Sequence, residues 1–187
     1  GTLLRSDGSI GEKSLKYSKL LKEKGILVTF ASGRMSTALE GYAKEMSLEG
    51  IMICSDGAVI MEYPSGRVLR KICLKDSKVK KGIELSEKHL VKMVMCTDSE
   101  VLYTEHNEAT LQLIDRFGAR FRCVDDYKNI SDEVIELVYV GENRHSFQEI
   151  KKHFSFPYSF GLKLTYSKSQ SHYQYYLEVK KDDVSKA

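Results

Sequence analysis

The sequence predicts an α/β protein, in which a doubly wound parallel sheet is followed by a separate α+β unit. The first observation is the order turn, helix, strand, helix, strand within about the first sixty residues, because right-handed crossovers make such strands parallel. The second is the stretch 26–35, where an apolar, β-branched run stops abruptly at Ser32 and Gly33 before a helical segment. The third is a change in the pattern of predicted elements after Leu74, where hairpins and helices alternate.

The helices and strands of the first unit have clear start and stop signals in the sequence. Residues 12–24 predict a helix, since Leu15, Leu20 and Leu21 form an apolar stripe and Gly25 ends it. Residues 26–30 predict a short strand that is buried on both faces of the sheet. A helix over 35–46, a strand over 51–54 and a hairpin over 59–74 complete the unit.

The second unit is expected between boundaries near Leu74 and Lys181. Its pattern predicts helices at 76–89, 108–117 and 146–154. Strands are predicted at 91–96, 101–104, 134–140, 163–167 and 175–179. Helices mixed with hairpins in this order indicate an α+β arrangement.

Composition narrows the classes of function. The 187 residues include 29 basic and 26 acidic side chains, for a net charge of +3, and the two signs are interleaved along the chain. This distribution argues against a nucleic-acid-binding surface. Since no apolar run approaches the roughly 20 residues that span a bilayer, we expect no membrane segment and a cytoplasmic location.

The corner after residues 26–30 suits a phosphate group. Ser32 offers a hydroxyl, Gly33 lets the backbone approach a ligand, and the next helix points unpaired N–H groups at the same place. Asp56 follows the next strand, and ligands of parallel sheets bind at the carboxyl ends of the strands. Each residue also has a plainer interpretation, in which Ser32 caps a helix and Asp56 satisfies the amides of its own turn.

Four segments together resemble the haloacid dehalogenase superfamily, in its Cof-type branch. They resemble the tail of the opening signature, the second motif, the Asn-Gly-Ala segment and the final Leu-Glu-Ile and Val-Ser-Lys segment. The corresponding residues are 1–4 (GTLL) with 7–10 (DGSI), 31–34 (ASGR), 55–58 (SDGA), and 177–179 (LEV) with 184–186 (VSK). Asp56 stands where the branch usually has Asn.

The resemblance implies a partial Rossmann-like core with an inserted α+β cap. Residues 1–75 would form the first part of the core, 76–181 the cap, and 182–187 the return to the core. It further implies hydrolysis of phosphate monoesters, often sugar phosphates or similar small metabolites, with Mg²⁺ as cofactor and an aspartyl-phosphate intermediate.

The resemblance also implies roles for individual residues. Ser32 and Lys186 would be catalytic, holding the phosphoryl group and the nucleophile. The phosphate or the rest of the substrate would contact a larger set, which comprises Gly1, Thr2, Ser32, Gly33, Arg34, Asp56 and Gly57. Arg34, at the mouth of the site, would contact substrate or cap.

Several functional groups of the family are expected outside this chain. The nucleophilic aspartate and the acid/base aspartate would lie immediately before Gly1, and the acidic metal-binding motif would follow Ala187. We therefore expect no metal ligand within these residues, ends that extend further, and no activity from this stretch alone. Two alternatives stay open, a phosphomutase and a non-catalytic protein that binds phosphate esters.

Overall fold

The strands form two sheets in a computed structural model that describes residues 2–105, 119–155, 157–158, 160–168 and 174–182. The first sheet contains three antiparallel strands, β1 (Gly50–Cys54), β2 (Val59–Tyr63) and β3 (Val68–Lys71). Helices α1 (Glu12–Glu23) and α2 (Ser36–Glu45) precede it. The two helices, the strand and the hairpin predicted for this region are confirmed.

Residues 26–30 do not form the predicted strand. Ile26 and Leu27 are 50% and 78% exposed, so the expectation of burial on both faces is wrong for them. The following residues do run parallel to β1, because Ala31 forms a parallel bridge with Ile53 and Ser32 N–H donates to Ile53 O at 2.9 Å. A continuous apolar run indicates two covered faces, whereas this segment has solvent beside part of it.

The second sheet contains six strands in the order β6-β5-β4-β7-β9-β8, with β5 and β6 parallel and the other pairs antiparallel. These strands are β4 (Lys92–Cys96), β5 (Glu100–Tyr103), β6 (Arg120–Cys123), β7 (Glu136–Gly141), β8 (Leu162–Lys168) and β9 (Tyr175–Lys181). Helices α3 (Asp76–His89) and α4 (Arg144–Phe154) accompany them. The predicted elements of this unit are confirmed except the helix at 108–117, which lies outside the described residues. The short strand β6 was not predicted.

The six-stranded sheet is apolar on both faces. On β7, Leu137 and Tyr139 pack with residues of α3 and α4, while Val138 and Val140 belong to a separate cluster on the opposite face. That second cluster includes Met35, which immediately precedes α2. Alternate residues of a strand point to opposite faces, and the α2 end of the first unit therefore covers the face away from α3 and α4.

Polar contacts also join the two sheets. The Ser36 hydroxyl donates to Asp98 O at 3.0 Å, and the Lys71 ammonium lies 3.1 Å from the Asp98 carboxylate and 2.7 Å from that of Glu133. The α/β class is confirmed by this alternation of helices and strands. Within the described residues, no helix has the length and apolar character needed to cross a membrane.

Candidate active site

Two turns lock together at the carboxyl end of β1. Asp56 N–H donates to Ser32 O at 3.0 Å, and Ser55 N–H donates to Arg34 O at 2.8 Å. Together with the bond from Ser32 N–H to Ile53 O, these contacts hold the turn over 32–34 against the turn over 55–57. Ser32 and Asp56 are therefore neighbours, as their positions after successive strands predict.

The Ser32 hydroxyl does not cap α2. Its oxygen accepts a hydrogen bond from Arg34 N–H at 3.1 Å, and the N-cap residue of α2 is Met35, with no side-chain cap. A hydroxyl has one O–H donor in addition to its acceptor lone pairs. The Ser32 O–H is thus able to donate to an anionic oxygen while the turn keeps its shape.

Gly33 lies between Ser32 and Arg34, the two residues that bond to the second turn, and it faces the Asp56 side chain. A Cβ atom placed on Gly33 would lie 2.8 Å from Asp56 Oδ1, so one of the two groups would have to shift. Asp56 itself has a φ of 58°, in the left-handed region, where Asn and Asp are more common than most other non-glycine residues. A glycine at position 33 therefore leaves the Asp56 carboxylate its place beside the turn.

The Asp56 carboxylate forms an ion pair with Lys180 of β9. Lys180 Nζ donates to Asp56 Oδ2 at 2.7 Å, and the Lys180 side chain is only 6% exposed. The sequence offered two interpretations of Asp56, in which it satisfies the amides of its own turn or contacts the substrate. Neither predicted this partner. Lys180 extends from the six-stranded sheet to the turn that carries Gly33.

Two further carboxylates surround Lys180. Glu136 of β7 is its direct cross-strand neighbour, with Oε1 3.4 Å from Nζ, and Glu178 Oε2 lies 3.9 Å away. Glu136 Oε1 is buried without a hydrogen-bond partner among the described residues. Burial, opposed by the Lys180 charge, raises the pKa of Glu136 to about 7. Burial acts to lower the pKa of Lys180, but Glu136, Asp56 and Glu178 outweigh it and raise that pKa.

A cavity of about 530 Å³ opens beside the turn over 32–34. Three of the predicted site residues, Thr2, Ser32 and Arg34, line it together with apolar residues. The Arg34 guanidinium lies over the Tyr42 ring at 5.7 Å from its centre. The structure therefore gathers Thr2, Ser32 and Arg34 around one open space, with Asp56 held behind Gly33.

Three predicted site residues remain, and the structure describes one of them. Gly57 is buried and has a φ of 99°, so it closes the turn that presents Asp56. Gly1 and Lys186 lie outside the described residues. In the described part of the chain, no group of three or more His, Cys, Asp or Glu side chains is arranged to hold a metal ion.

Sequence reasoning missed Lys180, Glu136 and Glu178. A signal was present, because Glu178 and Lys180 share one face of a strand and alternate with the apolar residues Leu177 and Val179. Charged side chains on a sheet with two covered faces need partners of opposite charge. That signal indicates a buried ion pair but does not identify Asp56 as the partner.

Comparison with known proteins places the chain among hydrolases. A family model for haloacid dehalogenase-like hydrolases matches residues 1–187. The HMP-PP phosphatase of Escherichia coli O81 (strain ED1a) is 25% identical over 143 residues, which are 76% of this chain and 52% of that protein. The chain thus spans about half the length of the curated relatives that it matches.

Solved structures share the fold over the whole chain. A haloacid dehalogenase-like hydrolase from Bacteroides thetaiotaomicron has a TM-score of 0.83 at 17% identity, covering 100% of this chain and 70% of that one. A protein from Thermotoga maritima has a TM-score of 0.81 at 21% identity, covering 100% and 68%. A HAD subclass IIB sugar phosphatase has a TM-score of 0.70 at 16% identity, covering 100% and 68%.

Proposed function

The chain belongs to the haloacid dehalogenase-like hydrolases, and from this premise we propose that the full-length protein is a phosphatase of small phosphorylated metabolites. The observation that carries the proposal is the cavity beside the pair of locked turns, which Thr2, Ser32 and Arg34 line together. The relatives named HMP-PP phosphatase and sugar phosphatase also support a small phosphate ester as substrate.

The proposed reaction uses two aspartates that would precede Gly1. One carboxylate oxygen attacks phosphorus, the bond to the leaving oxygen breaks, and the second aspartic acid gives that oxygen a proton. Water then attacks the aspartyl phosphate, losing a proton to the second aspartate and releasing inorganic phosphate. We also propose that residues 1–75 belong to the core, 76–181 to the cap and 182–187 to the return to the core. The proposed location of the protein is the cytoplasm.

The residues of this chain would bind the phosphoryl group during both steps. The Ser32 O–H donates to one phosphoryl oxygen, and the backbone N–H groups near Thr2 and Gly33 donate to others. Lys186 adds a positive charge beside the nucleophile, while Gly1, Arg34, Asp56 and Gly57 border the substrate. Donors that are already in position stabilise the charge of the transition state without reorganising.

Mg²⁺ is the proposed cofactor, because a bound cation neutralises a phosphoryl group that an anionic nucleophile must approach. The described residues hold no cluster suited to a metal ion. In the proposal, the ligands of the ion lie outside the described residues.

Phosphate release by the full-length protein tests the proposal. The protein is assayed with Mg²⁺ against a panel of sugar phosphates, aryl phosphates and pyrimidine diphosphates. Ser32→Ala should lower kcat/KM by about 10- to 100-fold, since it removes a hydrogen bond to a charged oxygen. Ser65→Ala is the control, because Ser65 is exposed in the β2–β3 turn, at the other end of β2 from Asp56.

The other possible outcomes of this assay would indicate a different function. No release from any member of the panel refutes the phosphatase proposal. Transfer of the phosphoryl group to a second sugar hydroxyl instead of water identifies a phosphomutase, and binding of phosphate esters without turnover identifies a non-catalytic binding protein.

A further inference from the structure

We propose that Lys180 is a positioning residue of the phosphate site: it holds the Asp56 carboxylate against Gly33 and neutralises it, so that an anionic phosphoryl group can approach. The inference rests on the proposed function. It extends that function to the six-stranded sheet, because Lys180 of that sheet would neutralise Asp56 in the turn over 55–57 of the first unit.

The geometry connects Lys180 to the turn in one unbroken chain of contacts. Lys180 Nζ lies 2.7 Å from Asp56 Oδ2, and the other oxygen of that carboxylate faces the backbone of Gly33, at 2.8 Å from the place of a Cβ atom. Asp56 N–H in turn donates to Ser32 O. Lys180 is therefore connected to Gly33 through the side chain of Asp56 and to Ser32 through the side chain and backbone of Asp56.

Burial of the lysine distinguishes this ion pair, although the Asp56 side chain is 27% exposed. The lysines that pair with a carboxylate elsewhere have side chains between 25% and 71% exposed, whereas the Lys180 side chain is 6% exposed. Exposed pairs contribute little because water screens them. In a buried pair, loss of one partner leaves an uncompensated charge.

The charges around Lys180 determine the direction of the effect. Its ammonium faces three carboxylates, at 2.7 Å (Asp56), 3.4 Å (Glu136) and 3.9 Å (Glu178). Without Lys180, the Asp56 carboxylate beside Gly33 would lose the ammonium at 2.7 Å and would repel an incoming phosphate more strongly. Removal of that carboxylate in the same protein should relieve the repulsion.

The experiment measures binding of inorganic phosphate to the full-length protein by calorimetry, together with KM and kcat for hydrolysis. Lys180→Met should weaken phosphate binding and raise KM at least about tenfold, while Lys180→Met/Asp56→Asn should recover to within about threefold of the wild type. The control is Lys163→Met, because Lys163 is the exposed cross-strand neighbour of Lys180 on β8. It should bind phosphate as the wild type does.

A purely structural role predicts a different pattern. In that case the double variant binds phosphate no better than Lys180→Met, and this result would overturn the inference, as would a Lys180→Met protein that behaves like Lys163→Met. Should Lys180→Met fail to fold, the double variant decides, because it removes both charges of the pair together. We expect it to bind phosphate within about threefold of the wild type, and weaker binding would overturn the inference.

The two proposals fail separately. If the wild type releases no phosphate from any ester but its binding of inorganic phosphate follows the expected order of variants, the inference stands and the phosphatase proposal falls. If the wild type hydrolyses esters but the variants at position 180 bind and react normally, the phosphatase proposal stands and the inference falls. A wild type that neither hydrolyses esters nor binds inorganic phosphate overturns both.

Discussion

The substitution Glu136→Gln should make the protein more stable at alkaline pH and change little under acidic conditions. Glu136 lies on β7 with its side chain 13% exposed, and its Oε1 atom has no hydrogen-bond partner in the described part of the chain. Burial raises the pKa of this carboxyl from its ordinary value of 4.5 to about 7, with Lys180 acting in the opposite direction. The folded protein therefore retains a proton that the unfolded chain releases.

The sign and size of the effect follow from proton linkage. Between pH 4.5 and 7 the folded state binds more protons than the unfolded state, so the free energy of unfolding decreases as the pH rises. Each tenfold difference in proton affinity is worth about 1.4 kcal/mol, which gives a total of about 3 kcal/mol. About 2 kcal/mol of this loss should fall between pH 5.5 and pH 8.

Urea unfolding at a series of pH values between 5.5 and 8.5 measures this contribution of Glu136 to the free energy of unfolding. Glutamine cannot ionise, so the stability of Glu136→Gln relative to the wild type should increase by about 2 kcal/mol across that range. Glu142→Gln is the control, since Glu142 directly follows β7 and is exposed. Parallel pH profiles for wild type and Glu136→Gln would show that Glu136 is ionised throughout, and the reasoning would be refuted.

Three glycines lead to predictions that differ in direction. Gly33→Ala should weaken binding of inorganic phosphate at least about tenfold, because its Cβ would meet Asp56 Oδ1 at 2.8 Å and the turn that carries Ser32 and the Gly33 N–H would have to shift. The exposed Gly41→Ala in α2, with nothing near its Cβ, should instead raise the free energy of unfolding by about 0.5–1 kcal/mol. Normal phosphate affinity of Gly33→Ala, measured by calorimetry, would contradict the first. In α3, Gly82→Ala should lower the free energy of unfolding by about 1–3 kcal/mol despite the helix propensity of alanine, since its Cβ would collide with Leu137. Urea unfolding checks this, and a Gly82→Ala protein as stable as the wild type would contradict it.

Local patterns in the sequence predicted most of the elements. Helix α1 and its stop at Gly25, which has a φ of 72°, are an example, although Leu20 of the predicted leucine stripe is exposed and Ser18 is the buried residue of the helix. The strand predicted at 26–30 is the exception, because apolar composition states only that a segment favours burial. Whether Ile26 and Leu27 are covered depends on neighbours that composition does not specify.

The candidate site was predictable where it depended on strand order. Ser32 and Asp56 each follow a segment that runs parallel to the other, and parallel segments bring their carboxyl ends to the same edge. Hence their proximity could be inferred before any coordinates. The roles of Gly1 and Lys186 remain predictions, since both residues lie outside the described part of the chain.

The sequence by itself determined the order of elements, the turn at Ser32 and Gly33, and the meeting of that turn with Asp56. Only the tertiary structure decided that Lys180, 124 positions further along, would reach Asp56 and bring Glu136 into a buried cluster. The reason is physical: periodicity and turn chemistry act between residues a few positions apart, whereas a buried ion pair forms only when two sheets pack at one particular angle and depth.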